Sequence, residues 1–182
     1  MARYKEINMI KKILNLFKKN NKEKFNNDLM LSLGQIHSKL NSNMIEKNLN
    51  HFEFKVFSQW GEDGIIDYLI SNLEIKNKTF IEFGVENYSE ANTKFLLLNR
   101  NWSGLILDSS NENIQNIREK EFYWKYSLNA KCEFITKENV NSVLKQSNFD
   151  KNLGLLSIDI DGNDYWIWEE IKDFDSSIVV IE

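Results

Sequence analysis

The stretch Phe80-Ile81-Glu82-Phe83-Gly84-Val85-Glu86-Asn87-Tyr88-Ser89 reads as a buried strand, a tight turn and a helix start. Thr79–Phe83 is a short apolar run bounded by a turn residue, as a strand covered on both faces would be. Gly84 lets the backbone turn sharply and lets a ligand come close. Ser89 is placed to cap a helix over 89–99. The same order recurs along the chain. Gly104–Leu107 is a second apolar run, closed by Asp108 and followed by a helix at 110–120. Cys132–Thr136 alternates like a strand, and Thr136 can cap a helix over 138–146 through Val140, Val143 and Leu144. Leu153–Ile158 closes on Asp159, and Asn163 can cap a helix over Asp164–Ile171. Ile178–Ile181 is a last apolar run, followed by Glu182. Ahead of all of these, Ile66, Leu69, Ile70 and Leu73 share one helical face.

Strands alternating with helices predict an α/β fold: a Rossmann-like, mostly parallel sheet with helices on both faces. Ligands of such sheets sit beyond the carboxyl ends of the strands, at the switch in strand order. Glu82, Asp108, Asp159 and Glu182 each fall at or near such an end. One acid there could simply cap the next helix; four at equivalent places predict a shared site.

The turn chemistry narrows the ligand. Gly84 stands alone, whereas a dinucleotide pyrophosphate needs close backbone approach at several points and a helix start free of acid. Here Glu86 and Glu90 flank that start. A phosphate-bearing cofactor is disfavoured and a positively charged centre is favoured. Asp108, 24 residues after Gly84 and at the next strand end, suits a carboxylate accepting from ribose hydroxyls. An adenosine without phosphates that carries a cation describes S-adenosylmethionine. The run Asp159-Ile160-Asp161-Gly162-Asn163-Asp164 invites a calcium-loop reading, but the sixth position is Asp164 rather than glycine and a strand precedes it. It reads better as a strand-end turn projecting Asp159 and Asp161 into a crevice.

The 182 residues suffice for one ordinary domain. Charge is uneven along them. Residues 1–50 carry ten Lys/Arg against four Asp/Glu, and residues 51–182 carry thirteen against 23. The chain therefore divides into a basic helical segment, 1–50, and an acidic Rossmann-like cofactor-binding domain, 51–182. An acidic body is a poor partner for nucleic acid. The basic segment suits a peripheral membrane contact or an acidic partner. In it, Ile10, Ile13, Leu14 and Phe17, then Leu29, Leu33, Ile36 and Leu40, form helical stripes expected to pack on the body. Neither a transmembrane run nor a signal peptide is visible, and a cytoplasmic location is expected. The one cysteine, Cys132, excludes a disulfide framework and reads as a small buried residue. Trp60, Trp102 and Trp124 read as packing residues. Trp166 and Trp168, two apart on one helix, cannot share a face: one is expected in the core, the other beside an acceptor pocket.

Together, Phe80–Val85, Leu105–Asp108 and Ser157–Trp166 resemble the class I S-adenosylmethionine-dependent methyltransferases, closest to the FkbM-like family of bacterial surface-polysaccharide clusters. Phe57-Ser58-Gln59-Trp60-Gly61-Glu62-Asp63-Gly64 is similar to the Ser-Gln-x-Gly-Glu-Asp element preceding the first strand there. The resemblance spans residues 56–182. It implies a capsule or lipooligosaccharide methyltransferase in which Glu82 and Gly84 hold the methionine end and Asp108 binds ribose. By the same resemblance Ser109, Thr136 and Asn139 would lie near the adenine, Gln59 would approach from the leading helix, and Asp159 would sit closest to the methyl group. Two departures stand out: the family's glycine run is reduced to Gly84, and its sheet has two strands beyond Glu182, so that a truncated chain is expected.

Methyl transfer is an in-line displacement in which positioning supplies most of the help. A hydroxyl acceptor of a sugar or sugar-linked precursor wants a base, and Asp159 or Asp161 is the candidate, with a raised pKa. The other arrangement has Asp159 and Glu182 holding a Mg²⁺ that acidifies the hydroxyl. Two further classes share the pattern: a nicotinamide-dependent oxidoreductase, and a non-catalytic scaffold with a degenerate pocket.

Overall fold

The computed structural model describes residues 22 and 24–182; the stripe Ile10, Ile13, Leu14, Phe17 lies outside them. Among the described residues, five strands form one all-parallel sheet in the order β3-β2-β1-β4-β5. They are β1 (Thr79–Phe83), β2 (Ser103–Asp108), β3 (Leu128–Cys132), β4 (Asn152–Ile158) and β5 (Asp175–Ile181). The helices are α1 (24–41), α2 (Glu62–Asn72), α3 (Lys94–Arg100), α4 (Asn111–Arg118), α5 (Glu121–Lys125), α6 (Val140–Lys145) and α7 (Asp164–Glu170). The order is Rossmann-like, and β1 and β4 flank the point where it reverses.

Side chains of β1 alternate between two cores, as a doubly covered strand must. Phe80 joins Leu96 and Leu97 of α3 with Ile114 and Ile117 of α4 on one face. Ile81 and Phe83 join Val140, Val143 and Leu144 of α6 and Ile167 of α7 on the other. Phe80, Ile81 and Phe83 are all fully buried, each contributing about 1.5–3 kcal/mol of apolar transfer energy. The register pairs Phe83 with Leu107 on one side and Ile158 on the other. That register brings the ends of β1, β2 and β4 to one level.

Several expectations need correction. The helix expected over 89–99 begins at Lys94, and Ser89 caps nothing. Instead the buried Glu82 carboxylate takes the Asn92 N–H (2.8 Å), the Thr93 N–H (3.2 Å) and the Thr93 hydroxyl, holding 89–93 as a loop. The third strand lies earlier than Cys132–Thr136, because β2 pairs Gly104 with Leu128 and Asp108 with Cys132. Asn163 makes no side-chain cap; Asp164 turns back to accept the Ile160 N–H (2.7 Å) and the Gly162 N–H (2.9 Å). Cys132 is exposed. Trp102 is buried, but Trp60 and Trp124 are more than two-thirds exposed, and neither Trp166 nor Trp168 is a core residue.

Helix α1 packs on the body through a different face from the one its apolar stripe suggested. Gly34 sits against Val56 and Phe95, and Asn41 Nδ2 donates to the Phe52 carbonyl (3.0 Å). Arg100 ties three helices, donating to Asp67 (2.9 Å) and Ser71 (2.8 Å) of α2 and Ser38 (3.2 Å) of α1. Leu29, Leu33, Ile36 and Leu40 stay exposed. Among the described residues no helix is long and apolar enough to cross a membrane.

Candidate functional site

A cavity of about 930 Å³ opens beyond the carboxyl ends of the strands. Gln59, Glu82, Gly84, Asp108, Ser109, Thr136, Asp159, Asp161 and Glu182 all line it. Asn139 does not: its Oδ1 accepts the Thr136 N–H (2.8 Å) and its Nδ2 donates to the Phe134 carbonyl (2.8 Å), which spends it on the turn before α6. Among the described lining residues there are nine acids and one basic side chain, Lys137. That balance decides the sign of a welcome ligand: cations are attracted and phosphates repelled.

The floor is built on β1. Glu82 points to the α3 face, is almost wholly buried, and spends both oxygens on the loop before α3. Burial pushes its carboxyl up to about 6, against the pull of the Thr93 and Asn92 hydrogen bonds. Gly84 has φ +75°, and a Cβ there would stand 1.6 Å from the Asp159 carbonyl oxygen. The glycine is therefore required by the close approach of β1 and β4 rather than by a ligand. Nearby, Glu86 (φ 47°) and Asp161 (φ 58°) hold left-handed backbone without being glycine, a strain that gathers where side chains must be aimed.

Asp108 ends β2. Its Oδ1 accepts the Ser110 N–H (2.8 Å) and Asn113 Nδ2 (3.2 Å), and its Oδ2 accepts the Glu86 N–H (2.8 Å). A carboxylate offers about four acceptor sites, so one remains, on Oδ2. The aspartate is thus rigidly aimed by three donors and can take one further hydroxyl. Ser110 and Asn113 were missed by sequence reasoning; the signal was there in Asp108-Ser109-Ser110-Asn111-Glu112-Asn113, where Ser110 caps α4 through the Asn113 N–H (3.3 Å).

At the β4 end, oxygens of Asp159, Asp161 and Glu182 lie within 4.8 Å of one another. Partial burial, a hydrogen bond shared with Glu182 and the charges of Glu182, Asp164 and Asp161 raise the Asp159 carboxyl to about 7. Two interacting acids share their protons, so one of the pair can act as base near neutral pH. Asp161 makes a third carboxylate beside the pair anticipated from Asp159 and Glu182. Three hard oxygen donors suit Mg²⁺ chemically.

The near wall is the 56–60 loop. Asp63, buried in the first turn of α2, takes the N–H groups of Val56 (2.7 Å), Phe57 (2.6 Å) and Ser58 (2.8 Å) on one oxygen. Lys55 Nζ donates to the Gln59 carbonyl. These bonds present Gln59 and Trp60 to the cavity. Its mouth is rimmed by Trp60, Phe134 and Trp166, all largely exposed, with Lys137 Nζ 4.7 Å from the Trp166 ring centre. Tyr165 contacts both Trp166 and Trp168 edge-on. Compared with protein-family models, with curated proteins and with solved structures, the chain matches none.

Proposed function

We propose that the protein is an S-adenosylmethionine-dependent methyltransferase acting on a hydroxyl of a sugar or sugar-linked surface precursor. The observation that carries this reading is the acid-walled cavity at the strand ends, with nine carboxylates against one lysine. Such a wall suits a sulfonium and an ammonium and rejects a pyrophosphate, which counts against a nicotinamide cofactor. Asp108, held by three donors and keeping one acceptor site, would take a ribose hydroxyl. The sulfonium is already electrophilic, so the residues' task is orientation and proton removal. Asp159, beside Glu182 and Asp161, would receive the acceptor's proton as the oxygen attacks the methyl carbon in line with the departing thioether. The exposed rings of Trp60, Phe134 and Trp166 at the mouth supply flat apolar faces of the kind a sugar ring packs on.

A second arrangement has its own observation. Asp159, Asp161 and Glu182 offer three oxygens close enough to share one ion. They would hold Mg²⁺, which would lower the pKa of an acceptor hydroxyl.

Thermal unfolding with S-adenosylhomocysteine tests the cofactor. A rise in melting temperature that Asp108→Ala abolishes is expected. No rise at saturating ligand would sink the proposal.

A further inference from the structure

Helix α1 has two opposed faces. Gly34, Ser38 and Asn41 are buried against the body. Phe25, Leu29, Leu33, Ile36 and Leu40 are 67%, 49%, 44%, 54% and 62% exposed. At 3.6 residues per turn the two sets centre about 150° apart, so the apolar stripe points away from the domain for about 22 Å. A continuous apolar surface of this kind marks an interaction site.

We infer that the stripe is the interface of a symmetric dimer in which α1 of two copies packs antiparallel about a two-fold axis beside Leu33. A two-fold interface must be complementary to itself, and this stripe is. Its spacings of four, four, three and four residues read nearly the same in reverse. Antiparallel pairing therefore sets Phe25 opposite Leu40, Leu29 opposite Ile36, and Leu33 beside its own counterpart. Charge selects the same direction. Asp28 and Lys39, both exposed, lie on one flank of the stripe. A two-fold axis in the interface keeps that flank on one side, so Asp28 meets Lys39 of the partner subunit, twice. Parallel pairing about a two-fold axis would place that flank on opposite sides of the seam in the two copies, so Asp28 and Lys39 would not meet across it. The cofactor reading has no part in this inference, and either can fail alone.

Sedimentation of the full chain at rising concentration is the test. A mass approaching twice 21.6 kDa is expected, returning to the monomer in Leu33→Lys, whose exposed site leaves the fold intact by circular dichroism. Asp28→Lys should weaken the dimer, and Asp28→Lys with Lys39→Asp should restore it. In a Cys132→Ser background, Leu33→Cys should cross-link two chains on oxidation. A monomer at every concentration overturns the inference, whether residues 1–21 or nothing covers the stripe. So does a dimer that Leu33→Lys leaves unchanged. Capture of a monomeric chain by anionic phospholipid vesicles, lost in Leu33→Lys, would assign the stripe to lipid and overturn it as well.

Discussion

Replacing Gly84 by alanine should be among the most damaging single methyl additions to this domain. The φ of +75° costs an alanine about 1–2 kcal/mol. The new Cβ would lie 1.6 Å from the Asp159 carbonyl oxygen, where real contacts stay beyond 3.0 Å. The ends of β1 and β4 must therefore part. That loosens the Asp159 N–H to Phe83 carbonyl bond (3.3 Å) between them and, by displacing Gly84, disturbs its N–H bond to the Leu107 carbonyl of β2 (2.9 Å), each worth about 0.5–1.5 kcal/mol net. The sum is about 3 kcal/mol, or a fall of roughly 6–12 °C in melting temperature for a domain of this size. Gly162 supplies the control: its φ is +100°, yet nothing lies within 4 Å of its added Cβ. Gly162→Ala should lose only the conformational cost. Thermal melts of both variants by circular dichroism make the comparison. Equal losses would refute the claim that the β1–β4 approach, rather than the turn conformation, demands Gly84.

Three further outcomes follow from the same geometry. Asp159 is raised from 3.8 to about 7, so the folded state holds its proton more tightly than the unfolded chain. The stability this contributes is complete below about pH 4 and lost as pH climbs to about 7. Asp159→Asn should flatten the fall in urea midpoint across that window, leaving the smaller slope expected of Glu82, raised to about 6; an unchanged profile would contradict it. Asp63→Ala strands three N–H groups of the 56–58 backbone and should cost about 3 kcal/mol or more in urea unfolding. Asp63→Asn, which keeps an acceptor, should cost clearly less, and equal costs would remove the N–H collar from the explanation. Cys132, exposed and donating weakly to the Ser109 carbonyl (3.4 Å), should react with a thiol reagent in the native state. Reaction only after denaturation would contradict that exposure.

The sheet was legible because its strands are covered twice. Thr79–Phe83 is apolar throughout apart from Thr79 and the buried Glu82, and no helical period competes with that run. Glu82 itself shows where local reasoning stops. Nothing near Ser89 announces that a carboxylate in β1 will hold Asn92 and Thr93 and delay α3. The edge strand β3 was misplaced for a related reason. Its limits come from pairing with Gly104–Asp108 rather than from its own half-exposed pattern. The acids of the site were found by their place at strand ends. Asn139 was expected beside the adenine but is spent on its own turn; in sequence an asparagine before a helix looks the same whether it faces a ligand or its own backbone. Helix α1 misled most. Its strongest apolar stripe faces outward, and the small residues Gly34 and Ser38 make the inner contact.

Calorimetric titration of the chain with S-adenosylmethionine and, separately, with NAD tests the acid-walled cavity most directly. Saturable binding of the sulfonium nucleoside, weakened at least tenfold in Asp108→Ala (about 1.4 kcal/mol), with no heat from the dinucleotide, is the outcome expected. Binding of NAD in preference, or indifference of the cavity to both, would contradict it.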